Sequence, residues 1–228
     1  MEIITINNKQ FILKTENLYL GRKKINKEIA TKNLLDFKDV MDKYELDFLL
    51  GYGTLLGAFR EKDFISHDED IDILMLDKDK IKFFNILKEL EKIDFIFCRY
   101  DERGLVSIMR NQEYIDIYFF HEYKDNIYKC AGEFIQKNFL YERTKIKFLN
   151  TEFEVPFNSK KILEFWYGKD WKIPIDYAEK KNNKISKIIA KSKLGIKKYL
   201  PDKIKKLIYF TLEKKNEKNF LKRIKRNQ

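Results

Sequence analysis

Four acidic side chains crowd into five consecutive positions of this chain: Asp68, Glu69, Asp70 and Asp72. Ile71 and Ile73 interleave with them. On a β-strand successive side chains alternate faces, so Asp70 and Asp72 share one face while the isoleucines anchor the other in a core. Two like charges beside a core strand repel, and a divalent cation bound between them removes that cost. Asp116 stands alone among apolar and aromatic neighbours in Tyr114-Ile115-Asp116-Ile117-Tyr118. On an adjacent strand it completes an oxygen-only site suited to Mg²⁺ or Mn²⁺. Upstream, Gly51, Gly53 and Gly57 let backbone approach a ligand closely. Thr54 offers a hydroxyl and Arg60 a forked cation, and both suit a phosphate. The set is what metal-assisted phosphoryl transfer requires: the cation neutralises charge on the moving phosphate and acidifies an attacking hydroxyl.

Other chemistries fit these residues less well. A solvated acidic run has no use for the interleaved isoleucines. A calcium loop needs glycine at its sixth position and a flanking helix pair. No Gly-Lys-Ser/Thr follows the glycines, so they are not a P-loop. Leu56 stands where a dinucleotide fingerprint has its third glycine.

The elements that must position these groups can be read from periodicity. Residues 3–13 alternate around Asn7-Asn8, predicting a hairpin. Residues 27–44 carry apolar side chains at helical spacing. A strand at 47–50, a glycine turn and a helical patch at 54–59 lead to a buried strand at 71–76. A helix at 80–93 precedes strands at 95–100, 105–110, 114–120 and 126–129. A second hairpin spans 145–155. Ser159 is the expected N-cap for a helix over 160–167 stopped by Gly168. The expected fold is α+β, a mixed sheet flanked by helices.

The whole chain has 228 residues, 15% of them aromatic, and a formal charge of +11. That length suits one substantial domain with an appendage, and the composition argues against disorder. A charge of +11 alone suggests a nucleic-acid or anionic-surface binder. Its distribution alters that reading. Residues 180–228 hold 18 Lys+Arg against 3 Asp+Glu, while residues 1–179 carry a net −4. The expected organisation is therefore a catalytic domain over 1–179 and a basic helical tail over 180–228. Cys98 and Cys130 are too few for a disulfide framework or a zinc site. The N-terminus shows no secretory pattern and no apolar run is long enough to span a bilayer, so a cytoplasmic location is expected.

In the tail, Ile185, Ile188 and Ile189 share a face within 184–193. Pro201 opens a second helix in which Ile204, Leu207, Ile208 and Thr211 form a stripe among Lys203, Lys205, Lys206 and Lys214. A basic amphipathic helix suits an anionic membrane surface, which attracts each nearby Lys or Arg by about 1 kcal/mol. Docking of the stripe on the catalytic domain is the alternative. Nucleic acid is disfavoured, because aromatic residues interleave with the lysines only at Tyr209-Phe210.

Residues 53–60, Gly-Thr-Leu-Leu-Gly-Ala-Phe-Arg, followed after a short spacer by Asp-Glu-Asp-Ile-Asp-Ile at 68–73, resemble the LicD/fukutin-related family. Residues 155–174 are similar to that family's closing motif, a helix leading to Tyr-Gly-x-Asp-Trp and a proline. Ser66-His67 replace the family's Pro-Trp, and Glu69 replaces its middle Asp and is expected to point away from Asp68 and Asp70. The resemblance implies a nucleotidyltransferase-like fold and transfer of phosphocholine or a polyol phosphate from a CDP-activated donor. The implied acceptor is a glycan hydroxyl, which with the basic tail leads to a cell-surface glycan, lipid-linked glycan or lipopolysaccharide precursor as the expected acceptor and to the inner face of the cytoplasmic membrane as the expected peripheral location. Carried over, Asp70 and Asp72 are metal ligands and Asp116 is a third ligand or the general base. Gly53, Thr54 and Arg60 hold donor phosphates, with Tyr52, His67 and Asp170 as further donor-binding candidates. Packing explains Tyr52 and Trp171 as well as ligand contact does, and capping explains Gly168. Two rival functions stay open: a nucleotidyltransferase moving a nucleoside monophosphate to a small molecule or RNA, and a non-catalytic nucleic-acid binder using the tail.

Overall fold

The computed structural model describes residues 1–16, 18, 24–66, 68–174 and 201–226. A hairpin of β1 (Glu2–Ile6) and β2 (Lys9–Leu13) opens the chain. Its turn places Asn7 and Asn8 at φ +48° and +61°, the left-handed pair that a two-residue hairpin turn needs and asparagine tolerates. Helix α1 (Lys27–Lys43) follows, capped by Asn26, whose side chain accepts the Ile29 N–H.

The central sheet is built from β3 (Leu49–Leu50), β4 (Ile71–Leu76), β5 (Ile96–Asp101), β6 (Leu105–Arg110) and β7 (Glu113–Lys124), in the order β3-β4-β7-β6-β5. β8 (Ile127–Cys130) and β9 (Glu133–Gln136) extend it from the far half of β7. β4 runs parallel to β7 and the other neighbours are antiparallel, so the sheet is mixed. Ile71, Ile73, Ile115 and Ile117 are fully buried. They fix the register of β4 on β7, because a slip of one residue would send each of them to the opposite face.

Helix α2 (Tyr52–Arg60) packs on β4 and α3 (Lys80–Glu91) on β5. The short α4 (Asn138–Tyr141), the hairpin of β10 (Arg143–Phe148) and β11 (Thr151–Pro156), and α5 (Ser159–Tyr167) complete the domain. The expected α+β architecture is present. Boundaries moved where backbone hydrogen bonding overrides side-chain pattern. The strand expected over 47–50 is paired only at its last two residues, and α2 begins two residues before the expected patch. β9 and α4 gave no periodic signal. Asn158, not Ser159, occupies the cap of α5, and Ser159 Oγ donates back to the Pro156 carbonyl.

Helix α6 (Asp202–Arg226) starts just after Pro201, as expected, and docks through a face other than the expected stripe. Phe220 is buried with its ring 5.7 Å from Phe134 and 5.4 Å from Phe165. Glu217 pairs with Lys124, Glu213 with Lys129 at 2.7 Å, and Arg103 lies 4.1 Å over the Tyr209 ring. Ile204, Leu207 and Phe210 face outward and are exposed. The helix expected over 184–193 lies outside the described residues. No helix among the described residues is long and apolar enough to cross a membrane.

Candidate active site

Gly51, which joins β3 to α2, and the first turn of α2 hold Asp72 at three points. Gly51 N–H donates to the Asp72 carbonyl at 3.0 Å, Asp72 N–H to Thr54 Oγ1 at 2.9 Å, and Gly53 N–H to Asp72 Oδ2 at 3.2 Å. A Cβ on Gly53 would stand 2.3 Å from Asp68 Oδ2, and one on Gly51 would stand 2.6 Å from Leu74 Cδ2. Both glycines are therefore there for space. Tyr52, between them, takes φ +35°, a left-handed conformation that costs a bulky residue about 1–2 kcal/mol. Its ring is held in place by Trp166, stacked at 4.5 Å, and by Tyr118 at 4.9 Å.

Asp72 and Asp116 are register partners on the parallel pair β4 and β7. The same row continues across the sheet: Asp116 opposes Ser107 on β6, and Ser107 opposes Arg99 on β5. Ser107 Oγ donates to Asp116 Oδ1 at 2.6 Å, Arg99 Nε reaches Ser107 Oγ at 2.7 Å, and Arg99 Nη2 donates to both Asp116 oxygens. A bulge between Phe97 and Arg99 shifts the β5 register by one residue, so that Arg99 opposes Ser107 instead of Val106.

Asp70 immediately precedes β4. Each of Asp70, Asp72 and Asp116 offers an oxygen within 4.8 Å of those of the other two. Burial pushes all three carboxyls above the usual range; the neighbouring acids push Asp70 and Asp72 further, while a hydrogen bond with Tyr114 opposes the rise at Asp70. Arg99 and Ser107 oppose the rise at Asp116. Asp68 is raised to about 7, mainly by burial, and its Oδ2 is buried without a hydrogen-bond partner among the described residues. Three clustered carboxylates that repel one another and resist ionising in protein surroundings are a donor set that a hard dication fits.

The remaining candidates sit as follows. Thr54 is fully buried beneath β4, its oxygen accepting the Asp72 N–H. Arg60, at the end of α2, donates to Glu61 at 2.8 Å, keeps Nε buried without a partner among the described residues, and its charge lowers the pKa of Asp68. Glu69 is half-buried, and its charge raises the carboxyl of its neighbour Asp68. Asp170 is exposed in the turn after α5. Trp171 is buried, and Gly168 ends α5 at φ +94°. His67 lies outside the described residues. Sequence reasoning missed Arg99, Ser107 and Tyr114. A serine between Val106 and Ile108, fully buried like both of them, was the available signal for Ser107.

The model of the family described as LicD/FKTN/FKRP, nucleotidyltransferase domain, matches residues 45–158. The lipopolysaccharide cholinephosphotransferase LicD of Haemophilus influenzae is 43% identical over 49 residues, 21% of this chain and 18% of that protein. The ribitol-5-phosphate transferase FKTN of Mus musculus is 28% identical over 157 residues, 65% of this chain and 32% of that protein. The chain thus spans less than half the length of the curated relatives it matches. Among solved structures, ANT(2")-Ia in complex with adenylyl-2"-tobramycin superposes with a TM-score of 0.46 at 15% identity, covering 83% of this chain and 99% of that one.

Proposed function

The chain belongs to the LicD/FKTN/FKRP nucleotidyltransferase-domain family, and on that premise we propose that it is a metal-dependent phosphotransferase. It moves a phosphorylated small group, phosphocholine or a polyol phosphate, from a CDP-activated donor to a hydroxyl of a glycan or lipopolysaccharide precursor. The observation that carries this reading is the convergence of Asp70, Asp72 and Asp116 beside the first turn of α2, which holds Asp72. These three residues hold Mg²⁺ or Mn²⁺, which supplies charge neutralisation at the transferred phosphate and a more acidic attacking hydroxyl. Arg99 and Ser107 orient Asp116, and Gly53 and Thr54 orient Asp72. Arg60, whose Nε has no hydrogen-bond partner among the described residues, is the cation we assign to the donor phosphates.

The test is ³¹P NMR of the full chain with CDP-choline, CDP-ribitol or CTP plus Mg²⁺. Release of CMP from a CDP donor is the expected result. Release of pyrophosphate from CTP would favour nucleotidyl transfer instead. Turnover that persists unchanged in Asp70→Ala and Asp72→Ala would overturn the site.

We further infer that the protein works at the cytoplasmic face of an anionic membrane. The exposed Ile204, Leu207 and Phe210 on α6 lie among Lys203, Lys206 and Lys214, the combination that enters the headgroup region.

A further inference from the structure

A groove of about 200 Å³ lies between α6, β9 and α5. Its walls combine aromatic surface with hydrogen-bonding side chains: Trp166 from α5, Phe220, Asn216, Asn219 and Arg223 from α6, and Glu133 from β9. Asn216 Nδ2 donates to the Gly132 carbonyl at 3.1 Å, leaving its Oδ1 as an acceptor, and Arg223 Nη1 reaches the Phe165 carbonyl at 3.4 Å. Asn219 is exposed toward solvent.

The groove adjoins the acidic row through a relay of rings. Trp166 lines it and stacks on Tyr52, and Tyr52 contacts Tyr118. Burial first, and then the charges of neighbours including Glu133 and Asp72, raise the Tyr52 hydroxyl.

The lining narrows the class of occupant. A phosphate would need uncompensated positive charge, and here Arg223 faces Glu133, whose carboxyl it lowers against the effect of burial. A purely apolar ligand would cover the exposed polar groups of Asn219 and Glu133 and the Asn216 Oδ1 without pairing them. A polyhydroxylated ring satisfies both halves of the lining, its C–H face on Trp166 and its hydroxyls on Asn216, Asn219, Glu133 and Arg223.

We propose that this groove is the subsite for a sugar ring of the acceptor, completed by the C-terminal helix. The proposal rests on the phosphotransferase reading and assigns α6 a part in substrate recognition.

The experiment uses the full chain and methyl glycosides of glucose, galactose, N-acetylglucosamine and N-acetylgalactosamine as probes in saturation-transfer NMR. At least one probe should receive saturation from the wild type. Asn219→Ala and Arg223→Ala, both at exposed positions, should each weaken binding about fivefold, the worth of one hydrogen bond. Trp166→Ala should abolish it, and the far-UV CD spectra of Asn219→Ala and Arg223→Ala should match that of the wild type. No saturation of any probe by the wild type, or saturation that survives in full in both α6 variants, overturns the subsite. The two readings fail separately: donor turnover without glycoside binding removes the groove alone. Glycoside binding that disappears in the variants, without any donor turnover, removes the phosphotransferase and leaves a sugar site.

Discussion

Arg99 donates through Nη2 to both carboxylate oxygens of Asp116, two strands away across the sheet. Asp116 is almost fully buried, so this cation offsets a charge that water cannot reach. Removing one partner of such a pair leaves the other uncompensated. Arg99→Ala should therefore cost about 2–4 kcal/mol. Urea unfolding at pH 7 in EDTA measures it, and added Mn²⁺ should recover part of the loss. A change below about 0.5 kcal/mol would show that the pair carries little.

Asp72→Ala removes a candidate metal ligand and the acceptor of the Gly53 N–H together. Donor turnover should fall at least about a hundredfold, and the Mn²⁺-induced rise in Tm should vanish. Asp125→Ala, in the exposed turn between β7 and β8, should leave both unchanged. Equal losses in the two variants would count against the assignment.

Asp68 titrates at about 7 in the folded protein, against 3.8 for an ordinary Asp, chiefly because it is buried. Between those values the folded state binds more protons than the unfolded chain. Its stabilising contribution is complete below about pH 4 and is lost as pH rises through 7. In EDTA, Asp68→Asn should therefore lose less stability than wild type from pH 4 to 7. Asp36 and Asp101, whose carboxyls are lowered, work in the opposite sense and cancel in that comparison. Parallel stability curves for the two proteins would refute this assignment. The same protons compete with cations, so Mn²⁺ affinity should climb over this range.

Gly53→Ala drives a methyl group into the Asp68 carboxylate, which must move. Gly57→Ala meets the Asp63 carbonyl at 2.5 Å, a backbone atom with little freedom. The first should impair turnover more than folding; the second should destabilise by about 1–3 kcal/mol. Paired measurements of activity and chemical unfolding separate them, and the reverse ranking would refute these roles.

Liposome flotation tests the outward face of α6. Leu207→Glu with Phe210→Glu should abolish binding to vesicles containing phosphatidylserine, while the docked residues Glu213, Glu217 and Phe220 stay in place. Unchanged flotation would remove the membrane role.

The acidic strand, its isoleucine anchor and the lone Asp116 were legible because strand alternation is local and the acids break an apolar run. Position along the chain also tied the glycine turn to the strand. The turn's job was not legible: Thr54 and Gly53 commit their polar groups to Asp72, a pairing across 18 or 19 residues that no spacing rule encodes. Arg99 escaped notice because a bulge supplies its register, and a bulge is set by the partner strand. The docking face of α6 was not legible for a related reason. Its stripe at Ile204 and Leu207 is the more apolar by pattern, but the helix is held by one buried phenylalanine and two ion pairs near its other end.

The row from Asp72 through Asp116 and Ser107 to Arg99 has a consequence for how the chain matures. β4 and β7 pair across 44 positions of sequence, with α3, β5 and β6 between them. Contacts of such separation form late and slowly. The acids, the serine and the arginine therefore meet only when all four strands have found one register. Incomplete or slipped chains lack the row altogether, so the ability to capture a divalent cation would report that the sheet has been assembled correctly.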